Sequence, residues 1–486
     1  MNMKTPEYIE NYINGRFVAP STNQYLDNIN PATGNKYSYT PRSNENDVNE
    51  AIDAAQTAYP AWKATSLEER FRLLNKVADL IEHYAPELTL AESIDNGKPY
   101  RLAERVDIPR AADNFRFFAT ALMHYSTDAH QMNEDVVHYT IRQPLGVVTC
   151  ISPWNLPLYL FSWKIAPALA TGNCVVAKPS EVTPMTGYLL AKIMDEAGMP
   201  KGVINIIHGT GPECGEAMVK HPLTKAISFT GSTRAGRQIA GIAASHFKKY
   251  SLELGGKNPN IIFEDCDWEM ALKTTVHSSF ANQGQICLCG SRILVQASIY
   301  DKFKLAFIEE ARKIIPMDPL DPKARMGAIV SKDHYEKILN AIQTAKDEGG
   351  VILLGGAASK VDGKCENGYF IAPTIIEGLG PDSKTNQEEI FGPVVTLQSF
   401  ENEEEALALA NNSDYGLSAT VWTENLSRAH RFAHGLEVGM VWVNTWLLRD
   451  LRTPFGGIKQ SGVGREGGWY AMDFFTEPKN ITIPFK

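Results

Sequence analysis

Three short stretches carry side chains able to do covalent chemistry. In Ala281-Asn-Gln-Gly-Gln-Ile-Cys287-Leu-Cys289 a cysteine lies beside a glycine-containing turn. Cys287 could attack an electrophilic carbon while its own backbone N–H faces the resulting oxyanion. A free cysteine is just as readily a small buried hydrophobe, and this segment alone does not choose. In Ser251-Leu-Glu253-Leu-Gly-Gly-Lys257 an acidic side chain sits within an apolar strand. Partial desolvation would raise its pKa and suit it to take a proton near neutral pH, unless it pairs with Lys257. In Pro153-Trp154-Asn155 the Asn155 carboxamide could donate to a developing oxyanion, or simply shape a turn.

A second group of motifs suits a nucleotide. Phe229-Thr-Gly231-Ser232-Thr-Arg-Ala-Gly236 reads as strand, turn and helix start, and backbone N–H groups at a helix N-terminus favour phosphate. Gly209-Thr-Gly211-Pro-Glu-Cys-Gly215 is one residue longer than the usual dinucleotide fingerprint. Lys178-Pro-Ser-Glu181 ends a strand at the same edge, where Lys178 could donate to a ribose and Glu181 accept from its hydroxyls. Each also reads as an ordinary tight turn or a surface charge. No metal site is expected. Cys287 and Cys289 lack a second pair of ligands, and His430 and His434 lack a Glu after the first His.

The elements that must position these residues fall into two series. Leu67, Phe71, Leu74, Val77 and Ile81 share one helix face, opened by a Ser66…Glu69 capping pattern, and Val48, Ile52 and Ala55 repeat it, so the first part reads as helical. From about residue 146, β-rich runs at 146–151, 173–177, 203–207, 225–229 and 250–254 alternate with helical segments such as 183–197 and 233–243. That rhythm predicts βαβ units, a parallel sheet covered on both faces and a ligand at the carboxyl ends of its strands. A second series follows, with a helix at 268–281 and strands at 292–296 and 394–400. The glycines at 255–256 mark a boundary between the series. Residues 136–143 read as a strand, and 480–485 as another that pairs with an exposed strand, in this chain or in another subunit. The acidic run 401–405 reads as a solvated helix start.

Composition removes several classes. The chain has 486 residues, 44% of them hydrophobic and 21% charged, which is incompatible with global disorder. Net charge is −9, giving no electrostatic footprint for nucleic acid or for an anionic membrane. The start lacks a signal peptide's apolar stretch, and the most apolar region, 144–178, is broken by Pro153, Asn155, Pro157, Lys164 and Pro167. Seven cysteines is an odd count in a chain too large to need staples, so reduced thiols and a cytoplasmic protein are expected.

Taken together and in order, PWN at 153–155, KPSE at 178–181, FTGS at 229–232, LELGGK at 252–257, GQIC at 284–287, EEIFGP at 388–393 and PFGGIKQSG at 454–462 resemble the NAD(P)-dependent aldehyde dehydrogenase superfamily over nearly the whole chain. The resemblance implies an α/β fold: a Rossmann-type parallel-sheet NAD-binding domain (1–121 and 144–253), an α/β catalytic domain (254–453) and a small β extension for oligomerisation (122–143 and 470–486). It implies that Cys287 attacks the aldehyde carbon and that Asn155 and the Cys287 N–H hold the oxyanion. Hydride then passes to the nicotinamide, and Glu253 activates the water that hydrolyses the thioester. It further implies a cofactor groove of Ile151, Trp154, Lys178, Glu181, Gly211, Gly215, Phe229, Gly231, Ser232, Leu254, Glu389 and Phe391. A carboxylate at Glu181 repels a 2′-phosphate, so NAD is expected over NADP. A homo-oligomer, dimer or tetramer, is expected.

Two further segments, Asp107–Phe118 and Asn444–Arg452, resemble the 2-aminomuconate and 2-hydroxymuconate semialdehyde dehydrogenases of that superfamily. Arg110 and Arg449 in a pocket otherwise walled by Leu156, Tyr159, Trp163 and Phe455 would be costly without an anion. Arg also grips carboxylates bidentately. The expected substrate is therefore a semialdehyde ending in a carboxylate, unless Arg449 pairs internally with Asp450. A broad-specificity or betaine aldehyde dehydrogenase, and a non-catalytic structural member of the family, remain as alternatives.

Overall fold

The computed structural model describes residues 5–485; residues 1–4 and 486, which belong to the expected first and last segments, lie outside the described residues. The chain enters as strands. Asn11–Ile13 and Arg16–Val18 form a hairpin around Asn14 and Gly15 at φ 50° and 72°, the left-handed pair that a two-residue turn of this kind requires. Tyr25–Asn30 then pairs with Asn35–Pro41. This corrects the expectation of a helical first part: the first two strands are three residues long, too short to display a period of two, and the next two pair only with each other, largely without a fully buried face. The expected helix follows at Leu67–His83, where the Ser66 hydroxyl accepts the Glu69 N–H at 3.1 Å and Leu74, Val77 and Ile81 are fully buried. Leu67 stays exposed at the rim. Two more helices matter for the site, α1 (Ala85–Asn96) and α2 (Ile108–His124), the second entered through a π turn at Ala103–Asp107.

Five parallel strands then build the first large sheet: β1 (Val147–Ile151), β2 (Cys174–Lys178), β3 (Ile204–Ile206), β4 (Thr224–Thr230) and β5 (Lys249–Glu253). Their spatial order is β3-β2-β1-β4-β5, so strand order reverses between β1 and β4 and a crevice opens at their carboxyl ends. The sheet's buried Val, Ile and Ala side chains sit under helices that include α3 (Pro157–Ala170) and α4 (Thr233–Ser245).

The second large sheet comprises β6 (Asn258–Ile262), β7 (Gly290–Gln296), β8 (Thr374–Glu377), β9 (Val394–Phe400), β10 (Ser418–Trp422) and β11 (Met440–Val443), all parallel, with Val351–Leu354 antiparallel at the edge beyond β8. Helix α5 (Trp268–Phe280) connects β6 towards β7. Only Leu254–Lys257 separates the carboxyl end of β5 from the amino end of β6. Carboxyl ends of one sheet therefore meet amino ends of the other, which is the geometric origin of the site.

Val136–Pro144 pairs antiparallel with Thr476–Pro484 along its full length and with Ala129–Asn133 on its other side. The terminal strand therefore finds its partner inside its own chain rather than in another subunit. The acidic run is the exposed helix start that was expected: Asn402 caps the helix Glu403–Asn411, and only Glu403 is partly buried, against Arg428 and Arg431. Among the described residues no helix is long and apolar enough to cross a membrane, and all seven cysteines are free.

Candidate active site

Two cavities adjoin at the strand-order reversal. One, of about 370 Å³, is lined by Ile151, Lys178, Glu181, Gly211, Gly215 and Phe229, with Arg234, Gln238 and Ile239 from α4 on its far wall. The other, of about 200 Å³, is lined by Trp154, Asn155, Gly231, Ser232, Leu254, Cys287, Glu389 and Phe391. All twelve residues assigned to a cofactor groove thus line one cavity or the other. The residues fit a dinucleotide. A Cβ on Gly211 would meet nothing within 4 Å, which leaves backbone bare to an incoming group. Lys178 Nζ lies 3.1 Å from Glu181 Oε2 at a rim suited to ribose hydroxyls. Burial opposes ionisation of Glu181, but Lys178 and backbone N–H groups outweigh it and hold the carboxyl below its usual range.

Cys287 sits in the loop entering β7, and strain in that loop is countered by amide side chains. Asn282 and Gln283 adopt φ of 49° and 58°, unusual for residues with a Cβ. Gln283 is held in place by donating to the Ala328 carbonyl at 3.0 Å and accepting the Gly327 N–H at 3.2 Å. Gly284 packs so close to Gly392 that a Cβ would lie 2.1 Å from its carbonyl oxygen, which is why the GQIC and EEIFGP segments occur together. Asn258, first residue of β6, donates to the carbonyls of Cys287 (2.7 Å) and Cys289 (2.9 Å). Of the two thiols, Cys287 is half-buried and faces the cavity; Cys289 is buried, with its sulfur 3.9 Å from the Ala281 carbonyl. Burial above all, with Glu389 acting in the same direction, pushes the Cys287 thiol well above its ordinary value.

Asn155 is 3% exposed in the turn between β1 and α3. Its Nδ2 donates to the Gln285 carbonyl at 3.0 Å, which ties the carboxamide to the cysteine loop and leaves a second N–H unused, and Asn155 lines the same cavity as Cys287. Trp154, one residue earlier, packs its ring 4.9 Å from His334 and 5.2 Å from Phe391.

Glu253 ends β5, and its side chain turns away from the cavity wall. A Cβ on Gly456 would lie 2.5 Å from its Oε1, and neither carboxyl oxygen has a hydrogen-bond partner among the described residues. It does not pair with Lys257. Burial, then the neighbouring Glu466, raise its pKa well above the carboxylate range. Glu466 is itself bound to buried Lys164 at 2.6 Å, with the Ser228 hydroxyl bridging both. Glu389 accepts the Gly256 N–H at 2.9 Å, and burial pushes it up to about 7.

The six residues assigned to substrate gather on the far side of Cys287. Phe455 packs in the same apolar cluster as Cys287, Ile286 and Trp446. The Arg449 guanidinium lies 4.0 Å from the Phe455 ring centre and 5.6 Å from Trp163, and donates 2.8 Å to the Tyr159 hydroxyl. Arg110 lies 5.3 Å from the Tyr159 ring and 5.4 Å from Trp163, and its Nε donates to Asn114 at 3.2 Å. Leu156 and Tyr159 pack together beside Leu160. Asp450 bonds Arg452 rather than Arg449, and among the described residues neither Arg449 nor Arg110 makes an ion pair. Buried Nη2 of Arg110 has no hydrogen-bond partner among them. Burial, with Arg449 as a like-charged neighbour, lowers the Arg110 pKa.

Several residues at the site were not foreseen. His334 and Lys337 line the smaller cavity from the helix Lys332–Asp347, and His334 Nε2 donates to the Phe391 carbonyl at 2.7 Å. That helix reads in sequence as an amphipathic surface element, so no local pattern marks it. Lys164 and Glu466 are 302 positions apart and meet only in the fold.

With this geometry in place, known proteins were compared. The profile of the aldehyde dehydrogenase family matches residues 17–481. The chain is 51% identical to 2-aminomuconic semialdehyde dehydrogenase of Danio rerio, over 98% of each chain. It is 45% identical to 2-hydroxymuconic semialdehyde dehydrogenase of Pseudomonas sp. (strain CF600), over 98% of this chain and 99% of that one. The NAD+ complex of an aldehyde dehydrogenase from Bacillus cereus superposes with a TM-score of 0.96 at 40% identity, covering 99% of this chain and 97% of the other. A match of this extent, in sequence and in fold, places the chain in the aldehyde dehydrogenase family.

Proposed function

We propose that this enzyme oxidises a carboxylate-bearing semialdehyde, of the 2-amino- or 2-hydroxymuconate semialdehyde class, to the corresponding acid with NAD. The observation that carries the substrate class is the pair of guanidinium groups, Arg110 and Arg449, which among the described residues make no ion pair and stand among aromatic side chains next to Cys287. Two partly buried cations that share the Tyr159 and Trp163 side chains repel each other until an anion joins them. A cationic aldehyde would be repelled there. The relatives named above support the same class.

In this reading the Cys287 thiol passes its proton to solvent water and its sulfur bonds the aldehyde carbon, whose C=O π pair moves onto the oxygen. Asn155 Nδ2 and the Cys287 N–H stabilise the oxyanion of the thiohemiacetal. NAD, bound along the two cavities, supplies the acceptor for the hydride lost from that carbon. Glu253, in its ionised form, then takes a proton from the water whose oxygen joins the acyl carbon as the C–S bond breaks and returns the Cys287 sulfur. Lys178 and Glu181 serve the adenosine ribose, Ser232 the pyrophosphate, and Glu389 with Phe391 the nicotinamide ribose. The carboxylate of Glu181 disfavours a 2′-phosphate.

The cofactor unit comprises 1–121 and 144–253 and the catalytic unit 254–453, in a cytoplasmic homo-oligomer. Association through the three-stranded extension is supported by its open edge, Ala129–Asn133, whose five residues are all exposed. The decisive assay compares kcat/KM for ω-carboxylated and neutral aldehydes of equal length, with NAD and with NADP. A clear preference for the carboxylated substrate with NAD is expected; equal values would remove the proposed substrate class.

A further inference from the structure

One charged cluster is left without a role by that chemistry. Lys98, Asp107 and Glu92 are fully buried, with Lys98 Nζ 2.7 Å from Asp107 Oδ2 and 3.7 Å from Glu92 Oε1. Burying such charges is costly, and well-packed apolar side chains would hold helices together at least as well. What the cluster does hold is shown by its third bond. Lys98 Nζ donates to the Asn155 main-chain carbonyl at 3.1 Å. Asn96 Nδ2 donates to the preceding carbonyl, of Trp154, at 2.8 Å, and Asn282 Nδ2 reaches the Asn155 carbonyl at 2.9 Å from the cysteine loop.

The local fold explains how these donors reach the same turn. Helix α1 stops at Gly97, whose φ of 82° reverses the chain, and the Ser93 hydroxyl donates to the Lys98 carbonyl at 2.7 Å. Asn96 and Lys98 therefore project from the helix cap onto consecutive peptides of the 153–155 turn. Asp107 closes the π turn that leads into α2, three residues before Arg110; such turns recur at functional sites. Lys98 thus bridges the Asn155 turn and the helix that carries Arg110.

We infer that Lys98 is a positioning residue that aims Asn155 at the reacting carbonyl and keeps it in register with Arg110. The inference rests on the reading of Asn155 as oxyanion donor. Lys98 and Asp107 form the closer pair of the cluster at 2.7 Å, so replacing both removes one formal positive and one formal negative charge together.

The test is a mutant cycle on the full-length enzyme with NAD, reading kcat per titratable Cys287, NAD affinity and thermal midpoint. Asn155→Ala should lower kcat by about 100- to 1000-fold. Lys98→Met, or the charge-balanced Lys98→Met/Asp107→Asn where the single variant folds poorly, should lower it about tenfold or more. In the Asn155→Ala background the same change should cost less than about twofold, since the group acted upon is gone. NAD affinity should not move, and the preference for carboxylated over neutral aldehyde should shrink. Equal losses in both backgrounds, or a lowered thermal midpoint with kcat per site intact, would make the cluster merely structural and overturn the inference. Retained kcat in Asn155→Ala alone would instead overturn the reading of Asn155 itself.

Discussion

Arg449→Met is the most direct probe of the substrate pocket. The guanidinium lies over Phe455, 4.0 Å from the ring centre, and donates to Tyr159 at 2.8 Å, so methionine keeps the apolar stem in place while removing charge and donors. At about 4 Å and an effective dielectric near 20, one Arg–carboxylate pair gains roughly 4 kcal/mol of Coulomb energy before desolvation. After desolvation a hydrogen bond to a charged group nets about 1.5–3 kcal/mol. At about 1.4 kcal/mol per factor of ten, kcat/KM for a carboxylated semialdehyde should fall roughly 10- to 150-fold. Because the anion is held in ground and transition states alike, the loss should sit in KM. A neutral aldehyde of equal length should lose less than about threefold, from altered packing alone. Initial rates of NADH formation with paired substrates measure both. Equal losses on the two substrates, or a loss confined to kcat, would refute the anion clamp.

Cys287→Ala should abolish NADH formation with NAD affinity unchanged by titration, whereas Cys289→Ala should retain most activity, because its buried sulfur faces a backbone carbonyl rather than the cavity. Turnover by the first variant, or its loss in the second alone, would reverse the assignment. Glu253→Gln should allow acylation but slow hydrolysis, so a thioester accumulates in a single turnover. The pH dependence has a defined sign. Folded Glu253 binds its proton more tightly than the unfolded chain does, so its contribution to stability falls as pH rises from the usual carboxylate range towards the raised folded value. Glu253→Gln should therefore gain thermal midpoint over the parent as pH increases, and lose the rising limb of the deacylation rate. An unchanged pH profile would exclude Glu253 as the base.

Much of the site was legible because it is built from contiguous motifs at strand ends. Ser232 caps a helix directly after β4, and Lys178 ends β2, so chain order alone brings both to one edge of a parallel sheet. Leu254–Lys257 is too short to do anything but join Glu253 to the second sheet. The hairpin at Asn14-Gly15 carried a readable turn and was still overlooked, since its strands are three residues long. Lys98 and Glu466 were invisible for a different reason. Each looks like a surface charge until the fold buries it against partners that local pattern does not point to.

The residue types and their order settled by themselves that a thiol, an amide donor and a carboxylic acid share a parallel α/β scaffold, because backbone periodicity and turn chemistry are local. Tertiary structure alone decided three things: which thiol faces the cavity, that Glu253 rests away from its wall, and that among the described residues Arg110 and Arg449 make no ion pair. Burial and charge pairing depend on side chains up to hundreds of positions apart, and such distances exist only after the chain has packed.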